Sequence, residues 1–485
     1  MNPSIDFHAF APELVLAATI VVVLVADLIS ESAKWLAPRL ATVGLLASLI
    51  PVVTLAVDGA DRSMFGGAYV VDEYALALKG FFLVVGYLTL LLSIDYIAEG
   101  DYYHGEFYFL LLISLLGMLV MTSGRDLITI FIALETISLP TFVLAGWRKH
   151  DARSNEAAIK YYLIGVLSSA IMLYGMSLVF GMSGSTLLSD VAEFATGGDI
   201  PALFAVGVFF TLAGFAFKVS AVPFHFWAPD TYEGSPTPVT AFLSVASKAG
   251  GFVALLSVVY FGFFPSSDSW QPILWVLAAA SMTLGNLTAL RQTNIIRLLA
   301  YSSVAQGGFI LVPLAVAGDG GAAGSAFEAV VVYLLIYGAM NLGAFAVVIA
   351  AARRTRSAEI SSFGGLGQTA PVLAVVMTLF LFSLIGIPPM AGWFAKFVMF
   401  RAVLDAATPA AIVLGVIAAV NTVIAFFYYA GVAREIWFRE PAAESGPIRV
   451  PVALSAALGL TAAIVVVIGI YPQVFARIGE AAFQG

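Results

Sequence analysis

The sequence predicts an all-α polytopic membrane protein of about fourteen transmembrane helices, each spanning about 20 apolar residues. Three observations predict it. Of 485 residues, 61% are hydrophobic and only 11% are charged, against about 25% charged in a soluble domain. Apolar stretches long enough to cross a bilayer recur from end to end. No segment of soluble-domain size separates them.

The spans follow from the polar breaks. The first, 13–30, starts at Glu13 with no basic residues before it, so it reads as a retained span rather than a cleaved signal peptide. Lys34 separates it from 38–57, with Arg39 at the start of that span, and Asp58, Asp61 and Asp72 precede 73–97. Glu99 and Asp101 precede 106–123, and the Gly124–Arg125 step leads into 126–146. Arg148 to Arg153 precede 157–181, and Asp190, Glu193 and Asp199 precede 202–223. Asp230 and Glu233 precede 238–263, Asp268 precedes 272–290, and Arg291 precedes 297–317. Asp319 precedes 327–351, Arg353 to Arg356 precede 371–404, Thr408 precedes 409–433, and Arg434 to Arg449 precede 450–471. The chain reads as one integral membrane domain, 1–485. It divides into an N-terminal three-helix segment (1–105), a first repeat (106–263), a second repeat (272–437) and a last span (450–471).

An even span count puts both termini on one side. With that side outside, 13 basic residues fall on inner loops and helix ends, including Lys34, Arg148 and Arg354, and 4 fall outside: Arg62, Arg125, Arg401 and Arg477. Basic residues concentrate on the cytoplasmic side, so both termini are expected outside the cytoplasm, in a bacterial inner membrane.

The chain has no cysteine, which excludes disulfides, iron–sulfur clusters and thiolate metal sites within it. The net charge of −8 argues against nucleic acid. Gly365, Gly367 and Ala370 match a loose dinucleotide fingerprint, but no strand precedes them and Pro371 follows, so the match carries nothing. No metal or cofactor site is expected in this chain.

Five of the seven lysines lie inside spans: Lys79, Lys160, Lys218, Lys248 and Lys396. The arginines sit in loops and at helix ends. Arginine does not release its proton in a protein, whereas a desolvated lysine can, so the bias points to groups that titrate. Lys79, near the outer end of its span, is expected to snorkel to the interface, and Lys160 lies near an inner end. Lys218, Lys248 and Lys396 are deep, and an ionisable group at that depth normally marks an ion path. Glu135 is the one acid at comparable depth, ten residues from its loop.

Two spans are interrupted. The seventh carries Pro223 and His225 soon after Lys218, and the twelfth carries Pro388 and Pro389 before Lys396. As one helix, 371–404 would run about 50 Å, more than a bilayer core of about 30 Å. Unwound backbone survives at that depth only where it is buried or lines a polar cavity. The breaks are five spans apart, an odd number, so the two copies cross in opposite directions. Spans 4–8 and 9–13 are therefore expected to form two inverted five-helix repeats with broken helices 7 and 12.

Three stretches carry a resemblance: Lys218 through the Val222–Pro223–Phe224–His225 run to Val239; Arg297 through Tyr301–Ser302–Ser303 to Gln306; and Gly386 through Pro388–Pro389 to Lys396. With the span count, they resemble, over nearly the whole chain, the antiporter-like membrane subunits of respiratory complex I. The same superfamily includes related hydrogenase subunits and Mrp-type cation/proton antiporters. The chain looks most like the N-type subunit, because it stops soon after the last span and carries Lys396 where the M-type has glutamate. The resemblance implies a proton relay in which Glu135 and Lys218 form the charge pair, Lys248 is the central carrier and Lys396 serves the outer half. Lys160 and His225 are accessory candidates. Gln306 stands where many N-type subunits have histidine. The implied function is a subunit of a proton-pumping NADH:quinone oxidoreductase with no redox centre of its own. NADH, FMN, Fe–S clusters and quinone would be held by partner subunits. The implied neighbours are antiporter-like subunit M, small membrane subunits, the peripheral redox arm and membrane lipid. Two other classes stay open on the residues: an Mrp-type antiporter subunit, and a non-transporting membrane scaffold.

Overall fold

Apolar runs bounded by polar breaks become helices. The computed structural model describes residues 5–29, 35–59, 61–100, 104–197, 200–441 and 448–484. Lys34, Asp101 and Asp199, used above as polar breaks, lie outside the described residues. The helices are α1 (Ala11–Ile29), α2 (Leu36–Asp58), α3 (Glu73–Glu99), α4 (Gly105–Ser123), α5 (Leu127–Ala145), α6 (Ala152–Ser183), α7 (Leu188–Thr196), α8 (Ala202–Lys218), α9 (Trp227–Gly234), α10 (Thr237–Phe242) and α11 (Lys248–Val258). Then come α12 (Ser267–Ala289), α13 (Ile295–Val316), α14 (Ala323–Thr355), α15 (Leu366–Thr369), α16 (Pro371–Ile385), α17 (Gly392–Ala406), α18 (Pro409–Phe438), α19 (Val452–Ile470) and α20 (Gln473–Gln484). Among the described residues, eleven helical stretches are long and apolar enough to cross a membrane, and α8 and α16 are shorter apolar helices. The chain is a multi-pass, essentially all-helical membrane protein.

Local chemistry sets the ends. Asp72, Asp126, Asp151 and Asn294 accept backbone N–H groups at the starts of α3, α5, α6 and α13. Each answers donors that an apolar medium would leave unsatisfied. Buried α14 and α13 form the centre, while α1, α2, α18 and α19 present apolar residues such as Val43, Ile50, Val423 and Val467 outward. That outward apolar surface is what a bilayer solvates.

Three features depart from the expected pattern. A two-stranded antiparallel hairpin, Arg62–Met64 against Tyr69–Val71, interrupts an otherwise helical chain. The amphipathic helix α20 follows the last span, with Phe483 against Phe327. It packs on α3 and α14 at the hairpin end of the bundle, where Gly59, Asp61, Ile478 and Ala481 line a common cleft. This end is called the hairpin face below. Third, Lys79 does not snorkel. Its side chain is wholly buried and pairs with Glu13 at 2.8 Å. The hairpin roofs that end of α3, so the ammonium finds a carboxylate before it reaches solvent.

Both expected breaks are present. After Lys218 the chain leaves the helix, with Ser220 at φ 57 and a cis Val222–Pro223 bond, before α9 begins. The helix thus stops earlier than residue 223. The second break separates α16 from α17, with Gly386 at φ 97 and a cis Pro388–Pro389 bond. Nearby helices satisfy the freed backbone: Ser281 Oγ accepts from Val222 N at 2.9 Å, and Ala391 N donates to the Val465 carbonyl at 2.9 Å.

Candidate proton-relay site

Glu135 sits at the middle of α5, and Lys218 is the last residue of α8. Their charged atoms approach to 3.8 Å, with side chains 22% and 8% exposed. Ser169 Oγ donates to Glu135 Oε1 at 2.5 Å, and the Lys218 ammonium donates to Ser138 Oγ at 2.6 Å. At that separation and an effective dielectric near 20, the Coulomb attraction is about 4 kcal/mol. The pairing favours the protonated ammonium, and withdrawing the carboxylate charge favours release.

Lys248 opens α11 directly after a π-helical turn, Leu243–Ser247. Such turns shift side-chain direction and are frequent at functional sites. The side chain is buried, and its ammonium donates to Ser303 Oγ at 2.5 Å and the Ser303 carbonyl at 2.9 Å. Among the described residues no carboxylate lies within ion-pair distance of Lys248 or Lys396. Lys396, on α17, is also buried. It donates to Thr422 Oγ1 at 3.0 Å and lies 4.3 Å from the Phe309 ring centroid. A lone cation at that depth costs about 3 kcal/mol, which protein hydroxyls offset only in part.

The lysines form a row through shared helices. A Cβ on Gly251, three residues after Lys248, would meet Lys218 Cβ at 3.0 Å. Lys248 and Lys396 touch the same helix, α13, at Ser303 and Phe309. Six residues of rise along it span about 9 Å. Between them Gln306 accepts from Tyr333 Oη at 2.7 Å and donates to the Leu384 carbonyl at 3.0 Å. An amide here links α13 to the second break. Buried Ser220 Oγ has no hydrogen-bond partner among the described residues, and the buried Tyr232 and Tyr337 hydroxyls gather beside Ser303. Buried polar atoms of this kind are normally met by ordered water.

Lys160 lies apart from the row. It donates to Asp230 at 2.7 Å and pairs with Glu156 at 2.6 Å, with 42% of its side chain exposed. Arg297 joins the cluster through Asp230 at 2.9 Å and Glu233 at 2.8 Å. Burial pushes the Asp230 carboxyl up, but the Lys160 and Arg297 hydrogen bonds outweigh it and hold it below its ordinary value. His225 lies in the first break, with its ring centroid 6.5 Å from that of Tyr301.

A family model for "NADH:quinone oxidoreductase/Mrp antiporter, TM" matches residues 124–422, the stretch that holds all four deep residues. Subunit N of the NADH-quinone oxidoreductase of Dehalococcoides mccartyi is 40% identical, covering 98% of this chain and 99% of that one. The chain belongs to this family of antiporter-like membrane subunits. NAD(P)H-quinone oxidoreductase subunit 2 of a Picosynechococcus species is 42% identical, over 91% of this chain and 83% of its own. Among solved structures, a chain of respiratory complex I from Thermus thermophilus matches with TM-score 0.80 at 29% identity, covering 97% of this chain and 99% of that one. A chain of the Mrp complex of Dietzia sp. shares the fold, with TM-score 0.87 at 20% identity over 99% and 97% of the two chains.

Within this antiporter-like scaffold, the hydroxyl partners Ser138, Ser169, Ser303 and Thr422 were not legible in the sequence. Serine and threonine are common in membrane helices, where they also back-bond to their own helix, as Thr422 does to the Ala418 carbonyl at 3.0 Å. Only the tertiary fold says which of them faces a lysine.

Proposed function

We infer that this chain is a proton-translocating membrane subunit of an NADH:quinone oxidoreductase. The observation that carries the reading is the row of Glu135, Lys218, Lys248 and Lys396 in a chain 40% identical over its length to a subunit N. In this reading a proton loads Lys218 while the Glu135 charge favours its protonated form. Loss of that charge passes the proton by way of water to Lys248, then along the Ser303–Gln306 side of α13 to Lys396 and out. Quinone reduction elsewhere in the complex drives the cycle, and NADH, FMN, Fe–S clusters and quinone belong to other subunits. Antiporter-like subunit M and small membrane subunits are the proposed neighbours.

The same reading takes the chain as fourteen spans, with the continuous stretch 237–289 counted as two. It takes spans 4–8 and 9–13 as inverted repeats, each with its break next to a deep lysine. Both termini lie outside the cytoplasm in this topology, so the hairpin face is the outer one.

Lys248→Met tests the reading, because it keeps the length and apolar stem of the side chain and removes the titratable amine. The assembled variant, in inverted membrane vesicles oxidising NADH, is expected to lose most of its acidification. Wild-type acidification per NADH would leave only a scaffold role.

A further inference from the structure

Among the described residues, five tyrosines crowd one stretch of α13 between Lys248 and Lys396. Tyr232 of α9, Tyr333 and Tyr337 of α14, and Tyr428 and Tyr429 of α18 are all buried. Tyr429 Oη shares a hydrogen bond with Ser302 Oγ and lies beside Gln306 and Tyr428. Tyr333 Oη donates to Gln306 Oε1 at 2.7 Å, and the Tyr232 and Tyr337 hydroxyls lie beside Ser303. Tyr428 Oη donates to Asn286 Oδ1 at 3.0 Å, and Asn286 Nδ2 donates to Asn421 Oδ1 at 3.1 Å. Each hydroxyl is a polar group withdrawn from water, which costs free energy unless it is bonded. Phenylalanine rings would fill the same space without that cost.

The cluster occupies the gap between two lysines of the row. The Lys248 ammonium ends on Ser303, and the Lys396 ammonium lies over Phe309. Gln306 is three residues from each, on one face of α13. The rise between the two contacts, about 9 Å, is three hydrogen bonds of about 3 Å, so intermediate groups are needed. The Lys396 side is reached as well. Gln306 Nε2 donates to the Leu384 carbonyl at 3.0 Å, and two residues on, a Cβ on Gly386 would meet Lys396 Cδ at 2.9 Å. On α18, Thr422, which accepts from Lys396 at 3.0 Å, is seven residues from Tyr429 and so shares its face. An amide alone does not fill this gap. Its nitrogen only donates and its oxygen only accepts, whereas a hydroxyl does both on one atom. Tyr333 and Tyr429 bring two hydroxyls to the Gln306 amide.

We propose that Tyr429 and Tyr333, held by Ser302 and Gln306, form a hydroxyl bridge that carries the proton from Lys248 to Lys396. An N–H bond of the Lys248 ammonium breaks as an O–H bond forms on a hydroxyl or on water beside it. That oxygen passes its original proton onward. The last O–H bond breaks as an N–H bond forms on the Lys396 amine. Each hydroxyl ends neutral, as it began, so the transfer leaves no tyrosinate in the apolar bundle. Ser302 and Gln306 are positioning residues, and the Asn286–Asn421 contact fixes α12 against α18 beside them. The inference rests on the proton row proposed above and names the groups between its last two lysines.

The test is the rate of acidification by the assembled complex in inverted membrane vesicles, with NADH oxidation recorded alongside. Tyr429→Phe keeps the ring and removes the hydroxyl, and it is expected to lose most of the acidification. Adding Gln306→His to Tyr429→Phe is expected to restore most of it, because an imidazole accepts on one nitrogen and donates from the other. A packing role for the Tyr429 hydroxyl would not be rescued this way. Tyr260→Phe, which removes a hydroxyl bonded to the Ala323 carbonyl at the start of α14, should acidify as the wild type does. Wild-type acidification by Tyr429→Phe would overturn the proposal, and so would a loss that Gln306→His leaves unrestored. If Tyr429→Phe does not assemble, Tyr333→Phe takes its place and is read the same way. Lys248→Met separates the two readings. If it loses acidification while Tyr429→Phe keeps it, the bridge fails and the row stands; if neither variant loses acidification, the row itself fails.

Discussion

Changing Glu135 to Gln preserves shape and the Ser169 contact while removing the charge that faces Lys218 at 3.8 Å. Glu193, on α7, is exposed. Glu135→Gln should therefore impair proton pumping by the assembled complex far more than Glu193→Gln, read as the pH gradient formed per NADH. Near-wild-type gradients in both would make Glu135 a static residue. At this scale the sequence was informative where chemistry is rare. A lysine or glutamate deep in an apolar run stands out against its cost, and Glu135, Lys218, Lys248 and Lys396 all lie buried or nearly so. It was uninformative where the partner is remote. Lys79 was expected at the interface because depth was judged along one helix. The structure buries it against Glu13, 66 residues earlier and in another helix.

Elements were legible wherever an apolar run met a polar break, and the two interrupted helices stood out through their prolines. What was missed is short or two-sided. The hairpin strands have three residues each, and α20 alternates Phe475, Ile478 and Phe483 with Arg477 and Glu480 instead of forming an apolar run. The second break depends on its glycine more than the proline signal implies. Gly386 has φ 97, and a Cβ there would meet Lys396 Cδ at 2.9 Å. Gly386→Ala is expected to cost about 1–2 kcal/mol from the left-handed backbone alone, and also to displace Lys396. Gly431→Ala, where an added Cβ meets nothing within 4 Å, is the control. The thermal stability of the assembled complex should fall for the first and hold for the second. An equal, negligible change in both would mean the break tolerates a side chain and does not position Lys396.

Across the whole molecule, the row of lysines crosses from α8 through α11 and α13 to α17, so no single helix carries it. That is why the residue pattern alone suggested the residues, while their order came only from the family resemblance: α13, which joins Lys248 to Lys396, has no charged residue beyond Arg297. The central claim is that these lysines gain and lose protons during turnover, beyond balancing charge. Lys218→Arg separates the two roles, because arginine keeps the positive charge facing Glu135 but stays protonated at any relevant pH. Lys160→Arg, in the half-exposed Asp230 cluster, is the companion that should behave as wild type. The measurement is the ratio of protons moved to electrons transferred by the assembled complex in inverted membrane vesicles, with NADH oxidation and acidification recorded together. The account predicts a marked fall in that ratio for Lys218→Arg, and slowed electron transfer as well if coupling is tight. A Lys218→Arg complex that assembles and pumps at the wild-type ratio would contradict it.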